Sequence, residues 1–161
     1  MNDHKIVITS DSTCDLGENL ISARGIGIMP LTVTLGEKSF KDGIDIAPDD
    51  IFAYVEKSGE LPKTAAPSVE DYETFFARYV DEGKTVIHVN ISSKASGSHG
   101  FAVAAQKKFK DRVFVIDSEA LSTGQGLLVM KACDFRDEGM SAPEIVSKIN
   151  GLRAKVNTSF V

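Results

Sequence analysis

Tryptophan is absent from this chain of 161 residues, and cysteine, histidine and proline are scarce at two, three and five. Cys14 and Cys133 stand far apart, so no disulfide framework organises the fold. That usage fits a reducing compartment, and a cytoplasmic protein is expected. Cys14 falls near the start of a helix, where a thiol can be activated; a small buried residue is the plainer reading. Cys133 reads as helix core. His4, His88 and His99 have no ligand spacing with the cysteines, so no metal centre is expected. No apolar run reaches membrane-spanning length, which excludes stable membrane insertion by a helix. The opening "MNDHKIVITS" has no signal-peptide pattern and enters a strand almost at once. Walker A, G-x-G-x-x-G and G-x-S-x-G are all missing; "GQG" at residues 124–126 is too short to count, and no cofactor is expected. The one basic cluster, "KKFK" at 107–110, reads as a solvated helix end favoured by the helix dipole. With 23 acidic against 18 basic residues, the net charge of -5 gives no nucleic-acid footprint.

What is present is a core. Hydrophobic residues make up 42% of the chain, enough for one domain of ordinary size. "KIVITSDST" predicts a buried strand over residues 6–9 that ends in a polar turn. Leu16, Leu20 and Ile21 suggest a short helix face. "MPLTVTLG" predicts a second strand over 31–35, rich in β-branched residues. Asp42 and Asp45 belong to a turn marked by Asp42-Gly43. Pro48 suits the first turn of a helix carrying Ile51, Phe52 and Val55. Ser68 can cap the next helix, where Val69, Tyr72, Phe75, Phe76, Tyr79 and Val80 recur at helical spacing and are expected in the core. "TVIHVNIS" and "RVFVID" predict the third and fourth strands, the latter an apolar run suited to a sheet covered on both faces. Leu127, Leu128, Ala132 and Phe135 line one later helix, and Ile145, Val146 and Ile149 another. "KVNTSFV" reads as a strand starting. The alternation of strand and helix predicts an α/β fold with a mostly parallel sheet and helices on both faces.

In open α/β sheets ligands bind beyond the carboxyl ends of the strands. Three such ends carry small polar groups: Ser10, Asp11, Ser12 and Thr13; Ser92, Ser93, Ser96 and Ser98; and Asp117, Ser118 and Glu119. "LPKTAAPS" adds Thr64 on an extended segment before a helix. Ser96 and Gly97 sit where a helix should begin, so free N–H groups and a hydroxyl there can cradle a carboxylate or phosphate. Gly97 and Gly100 let the backbone come close. Two readings of Ser96 stand side by side: anion ligand and helix cap. A hydrolase using the serines near His99 is disfavoured, because no spacing specifies a base and a nucleophile.

Six runs occur together in one order: "IVITSDSTCDL" (6–16), "MPLTVTLG" (29–36), "KDGIDI" (41–46), "GELPKTAAPS" (59–68), "VIHVNISSKASG" (86–97) and "RVFVIDSEALSTGQGLLV" (112–129). Through them the chain resembles the DegV family of bacterial fatty-acid-binding proteins over essentially its whole length. The resemblance implies a lipid-binding protein without catalytic activity of its own. It holds a long-chain fatty acid in an apolar tunnel between two α/β domains and grips the carboxylate with hydroxyls and backbone amides. It also implies a partner, a separate fatty acid kinase that makes an acyl phosphate for phospholipid synthesis. By position in the family motifs, Thr64 and Ser96 are the expected carboxylate contacts, with Ser92, Ser93 and Gly97 beside Ser96 and Ser12 at the first strand end.

The chain departs from the family pattern at "SGSHGFAV" (96–103), where an aromatic–glutamine–serine portion becomes His99, Gly100 and Phe101. Ala65 and Ala66 follow Thr64, where a further serine is usual. Phe101 is expected to pack in the core. Full members are nearly twice as long. Residues 1–161 are therefore expected to be the N-terminal fatty-acid-binding domain, with the second domain absent. An exposed tunnel wall favours self-association, so a homo-oligomer is expected. The rival reading is a half-length structural or protein-interaction domain that no longer binds lipid.

Overall fold

The computed structural model describes residues 5–158. β1 (Ile6–Asp11) passes through a 3₁₀ turn (Ser12–Cys14) to α1 (Glu18–Arg24) and β2 (Gly27–Met29). A small excursion follows, with β3 (Thr32–Leu35), β4 (Lys38–Lys41), α2 (Pro48–Ser58) and β5 (Lys63–Ala65). The chain then alternates: α3 (Val69–Val80), β6 (Thr85–Asn90), α4 (Ser98–Gln106), β7 (Val113–Asp117), α5 (Ser122–Asp137) and α6 (Ala142–Arg153).

The main sheet is parallel throughout, in the order β2-β1-β6-β7. Its register sets Ile8 beside Ile87 and Val86 beside Val113. Successive side chains alternate between faces, so each strand serves two cores. Ile8, Ile87, Val89 and Ile116 pack with Leu128, Val129, Ala132, Ile145 and Ile149 of α5 and α6. Val7, Val86 and Val113 pack on the other face with Tyr72, Phe75, Phe76, Ala102 and Ala105 of α3 and α4. Each large aliphatic or aromatic side chain buried here contributes about 1.5–3 kcal/mol. The expected α/β class, the mostly parallel sheet and the two helical faces are all present, and the aromatic stripe of α3 enters the core through Tyr72, Phe75 and Phe76.

Local signals also act as anticipated. Ser68 Oγ accepts from Asp71 N at 3.1 Å, and Asp71 Oδ2 accepts from Ser68 N at 2.9 Å, closing a reciprocal cap at the start of α3. Pro48 opens α2, and Asp45 Oδ2 accepts from Lys41 N at 3.0 Å in the preceding turn. Cys14 and Cys133 are both buried, unbridged thiols.

Four expectations change. The strand in "MPLTVTLG" does form, but in a separate antiparallel sheet of order β4-β3-β5. The cause is a tight turn: Leu35 pairs with Lys38, and Gly36 between them takes φ 60°, whereas a parallel neighbour would need a long crossover. "KVNTSFV" forms no strand as far as Thr158, and residues 159–161 lie outside the described residues, as does His4. Phe52 and Leu127, expected on apolar helix faces, are 66% and 64% exposed. Phe101 is 42% exposed rather than core, because its ring turns back over Gly97 instead of into the sheet.

At the edge of the main sheet, Gln106 Oε1 accepts from Val115 N at 2.8 Å, so the end of α4 covers the outer side of β7. No helix among the described residues is long and apolar enough to cross a membrane.

Candidate functional site

The candidate site grows from the carboxyl ends of β1, β6 and β7. Register places Asn90 beside Asp117, and continuing the β1–β6 register sets Asp11 beside Asn90. Beyond Asn90 the chain folds into a turn. Ser92 O accepts from Ala95 N at 2.9 Å and from Ser96 N at 3.1 Å, and Ser92 N donates to Ala120 O at 2.8 Å. Ser92 Oγ accepts from Lys94 N at 3.3 Å. Ser92 is thus buried and committed to the turn. Ser93 is exposed, and its N–H donates to Asp117 Oδ1 at 3.1 Å. Burial opposes ionisation of Asp117, but hydrogen bonds from Ser93 and from the Glu119 N–H, with the nearby His99, hold its carboxyl below the ordinary carboxylate range.

Ser96 lies just before the helix start. Its Oγ accepts from Ser98 N at 3.2 Å and donates to Ser98 Oγ at 3.1 Å. Gly97 is the residue that precedes the first turn of α4, so Ser96 is one position earlier than a simple cap. The N–H groups of Gly97, His99 and Gly100 have no acceptor among the described residues. Nothing in the chain crowds Gly100, and a Cβ on Gly97 would meet only the Phe101 ring at 3.6 Å. Packing does not demand these two glycines. Their effect is to leave the positive end of the α4 dipole unshielded.

Ser12 follows the end of β1, and Thr64 lies in the separate small sheet. Ser12 Oγ accepts from Leu31 N at 3.1 Å, which roots the small sheet beside the end of β1. Thr64 lies on β5 opposite Val33, and its exposed hydroxyl has no partner among the described residues. No hydrogen bond joins Thr64 to Ser96 or to Ser12. The cleft of about 450 Å³ between the small sheet and α3, lined by Pro30, Lys41, Ile44, Asp71, Phe75 and Arg78 among others, includes none of the expected site residues.

Sequence reading missed the buried polar cluster beneath the serine turn. Asp11 is fully buried and takes four donors. Oδ2 accepts from Asn90 Nδ2 and from Ile91 N, both at 2.9 Å. Oδ1 accepts from Gln125 Nε2 at 2.7 Å and from the Thr13 hydroxyl. Gln125 also reaches Ser10 Oγ at 2.9 Å. Asn90 Nδ2 donates onward to the Tyr72 hydroxyl at 3.1 Å, while Asn90 Oδ1 is buried without a partner among the described residues. Burial, then the Asp11 charge, pushes the Tyr72 phenol well above its ordinary range. "GQG" was the available signal for Gln125: the glycines let α5 come close, since a Cβ on Gly126 would lie 2.6 Å from Cys14 O. Among the described residues no cluster of His, Cys, Asp or Glu is arranged to hold a metal ion.

The model of the DegV family, described as "Uncharacterised protein, DegV family", matches residues 5–161. A DegV domain-containing protein of Clostridium acetobutylicum is 38% identical over 146 residues, which are 90% of this chain and 52% of that protein. Among solved structures, a fatty-acid-binding DegV family protein from Thermus thermophilus is 33% identical with a TM-score of 0.85, over 92% of this chain and 53% of that one. The Streptococcus pneumoniae Fatty Acid Kinase (Fak) B3 protein, loaded with linoleic acid, is 28% identical with a TM-score of 0.77, over 92% and 54%. The chain spans about half the length of the relatives it matches. With the family model covering all but its first four residues, and the parallel sheet and serine turn in place, this chain belongs to the DegV family.

Proposed function

We propose that this chain is the head-group-binding unit of a non-catalytic fatty-acid carrier. The observation that carries the reading is the open start of α4: three N–H groups without acceptors among the described residues, at Gly97, His99 and Gly100, beside the half-buried Ser96 hydroxyl. A carboxylate placed there meets donors and the positive end of a helix dipole without needing a full counter-charge. Ser96 and Thr64 are its hydroxyl contacts in this reading. Gly97 supplies an amide, Ser92 and Ser93 shape the turn, and Ser12 anchors the sheet that carries Thr64. Ala65 and Ala66 add no hydroxyl. The acyl tail supplies most of the affinity, since each buried CH₂ is worth about 0.8 kcal/mol.

Residues 1–161 correspond in this reading to the N-terminal domain of a two-domain carrier, whose second domain completes the cover of the tail. The likeness to the linoleate-loaded pneumococcal protein supports a long-chain ligand and a separate fatty acid kinase as partner, and through it a role in phospholipid synthesis. The two unbridged, buried cysteines suit a cytoplasmic setting. One observation favours the rival reading of an interaction domain: Leu127 and Phe101 stand exposed, and a second copy covering them would give a homo-oligomer.

Native mass spectrometry after mild purification, followed by oleate titration, separates the two. A bound fatty-acid mass, with oleate binding weakened about fivefold to tenfold by Ser96→Ala, is the expected result. An empty protein that takes up neither oleate nor palmitate overturns the carrier reading. A defined oligomer indifferent to oleate supports the interaction domain.

A further inference from the structure

The serine turn is held by its amides. Three successive N–H groups at its start each meet a fixed acceptor from a different place in the fold. Ile91 N donates to Asp11 Oδ2 at 2.9 Å, Ser92 N to Ala120 O at 2.8 Å and Ser93 N to Asp117 Oδ1 at 3.1 Å. The next amides turn inward on the loop itself: Lys94 N on Ser92 Oγ, Ala95 N and Ser96 N on Ser92 O, and Ser98 N on Ser96 Oγ. Between residues 91 and 100, the amides left without an acceptor among the described residues are those of Gly97, His99 and Gly100. Which amides face a ligand is therefore decided by what takes the others.

The three acceptors are differently built. Ala120 O is fixed by the loop between β7 and α5. Ala120 N donates to Ser118 Oγ at 3.1 Å, and Glu119 before it and Ser122 after it both take φ 53°, a costly conformation for residues with a Cβ. Asp11, fully buried, fills both carboxylate oxygens. Oδ2 takes Ile91 N and Asn90 Nδ2, and Oδ1 takes Gln125 Nε2 and the Thr13 hydroxyl. Asp117 uses one. Ser93 N and Glu119 N, at 3.1 and 3.0 Å, both meet Oδ1, and no donor among the described residues meets Oδ2. A side-chain amide has a single accepting oxygen. Asparagine can therefore stand in for Asp117 but not for Asp11, where its NH₂ would face two donors whichever way it turned.

We propose that Asp11 and Asp117 are positioning residues for the head-group site. They pin the start of the serine turn so that the amides of Gly97, His99 and Gly100, and not others, stand open to an anion. Both act through the backbone of the turn rather than by touching the ligand. At position 117 the requirement is an oxygen acceptor; at position 11 it is a carboxylate.

This inference rests on the carboxylate reading of the site, and the test tells the two apart. Oleate titrations of the full chain are set beside titrations with oleyl alcohol, which has the same tail and no carboxylate. Asp117→Ala should weaken oleate about fivefold, the equivalent of one neutral hydrogen bond, and leave oleyl alcohol unchanged. Asp117→Asn should bind oleate at least as well as the unaltered chain, because the acceptor stays and a negative charge leaves. In ligand-free ¹H–¹⁵N spectra the amides of Gly97, His99 and Gly100 should move in Asp117→Ala and keep their places in Asp117→Asn. Asp11→Asn should weaken oleate where Asp117→Asn does not; if it does not fold, the two Asp117 variants decide. An oleate loss shared by oleyl alcohol is a general loss of structure and overturns the positioning role. So does an Asp117→Asn as harmful as Asp117→Ala, or an Asp11→Asn as harmless as Asp117→Asn. If the unaltered protein takes up no oleate, the carrier reading fails, and the three amide signals alone decide the positioning.

Discussion

His88 is held neutral by its surroundings. Its Nδ1 lies 2.9 Å from Thr9 Oγ1, Nε2 has no partner among the described residues, and the rings of Tyr72, Phe75 and Phe76 stand edge-on around it. Burial, opposed by Asp11 and reinforced by His99, lowers its pKa from 6.5 to about 4. The unfolded chain takes up a proton below about pH 6.5, and the folded chain does not until near pH 4. The contribution of His88 is therefore complete above pH 6.5 and is lost as pH falls through that window, in total about 3 kcal/mol. Urea midpoints should decline between pH 7 and pH 5, before most carboxylates titrate. His88→Leu should flatten that decline, and an unchanged slope would refute the assignment. The position of His88 on a strand was legible in the sequence. Its neutrality was not, because it depends on an aromatic helix face folding over it. The Asp11–Gln125 contact was illegible for the same reason: 114 residues separate the partners.

Helices α5 and α6 show two uses of small residues at the scale of an element. Gly124 and Gly126 are where a neighbouring segment presses closest: a Cβ on Gly126 would sit 2.6 Å from the backbone oxygen of Cys14, which cannot swing aside. Gly126→Ala should cost about 2–3 kcal/mol by pushing α5 off the 3₁₀ turn, and with it Gln125 off Asp11. Gly151 on α6 has open space around its would-be Cβ. There Gly151→Ala should stabilise by about 0.5–1 kcal/mol, since alanine restricts the unfolded chain and favours the helix. Chemical denaturation of both variants checks the contrast, and equal effects would count against it. Long elements with clear periodicity, α3 and β6 above all, were readable in advance. The three-residue strands β2 and β5 were not, for each is defined by its pairing, β2 with β1 and β5 with β3, rather than by its own composition.

Across the whole molecule, order is unevenly spread. Both cores belong to the main sheet and its helices, whereas α2 buries no residue and leaves Phe52 exposed. Native-state hydrogen exchange should find α2 amides opening locally and well before those of α5, which exchange only through larger unfolding. Protection of α2 equal to that of α5 would mean that another surface covers it. The class of fold and the serine turn could be read from the residues. Which apolar side chains stay in water could not, since that depends on what each face meets after the chain has folded. One amide oxygen has a reach beyond its own strand. Gln106 occupies the outward N–H of Val115, where a strand from another molecule would begin to pair. One rung of that border is already taken, so the bare β-edge that could template a fibril is shortened there by a single side chain.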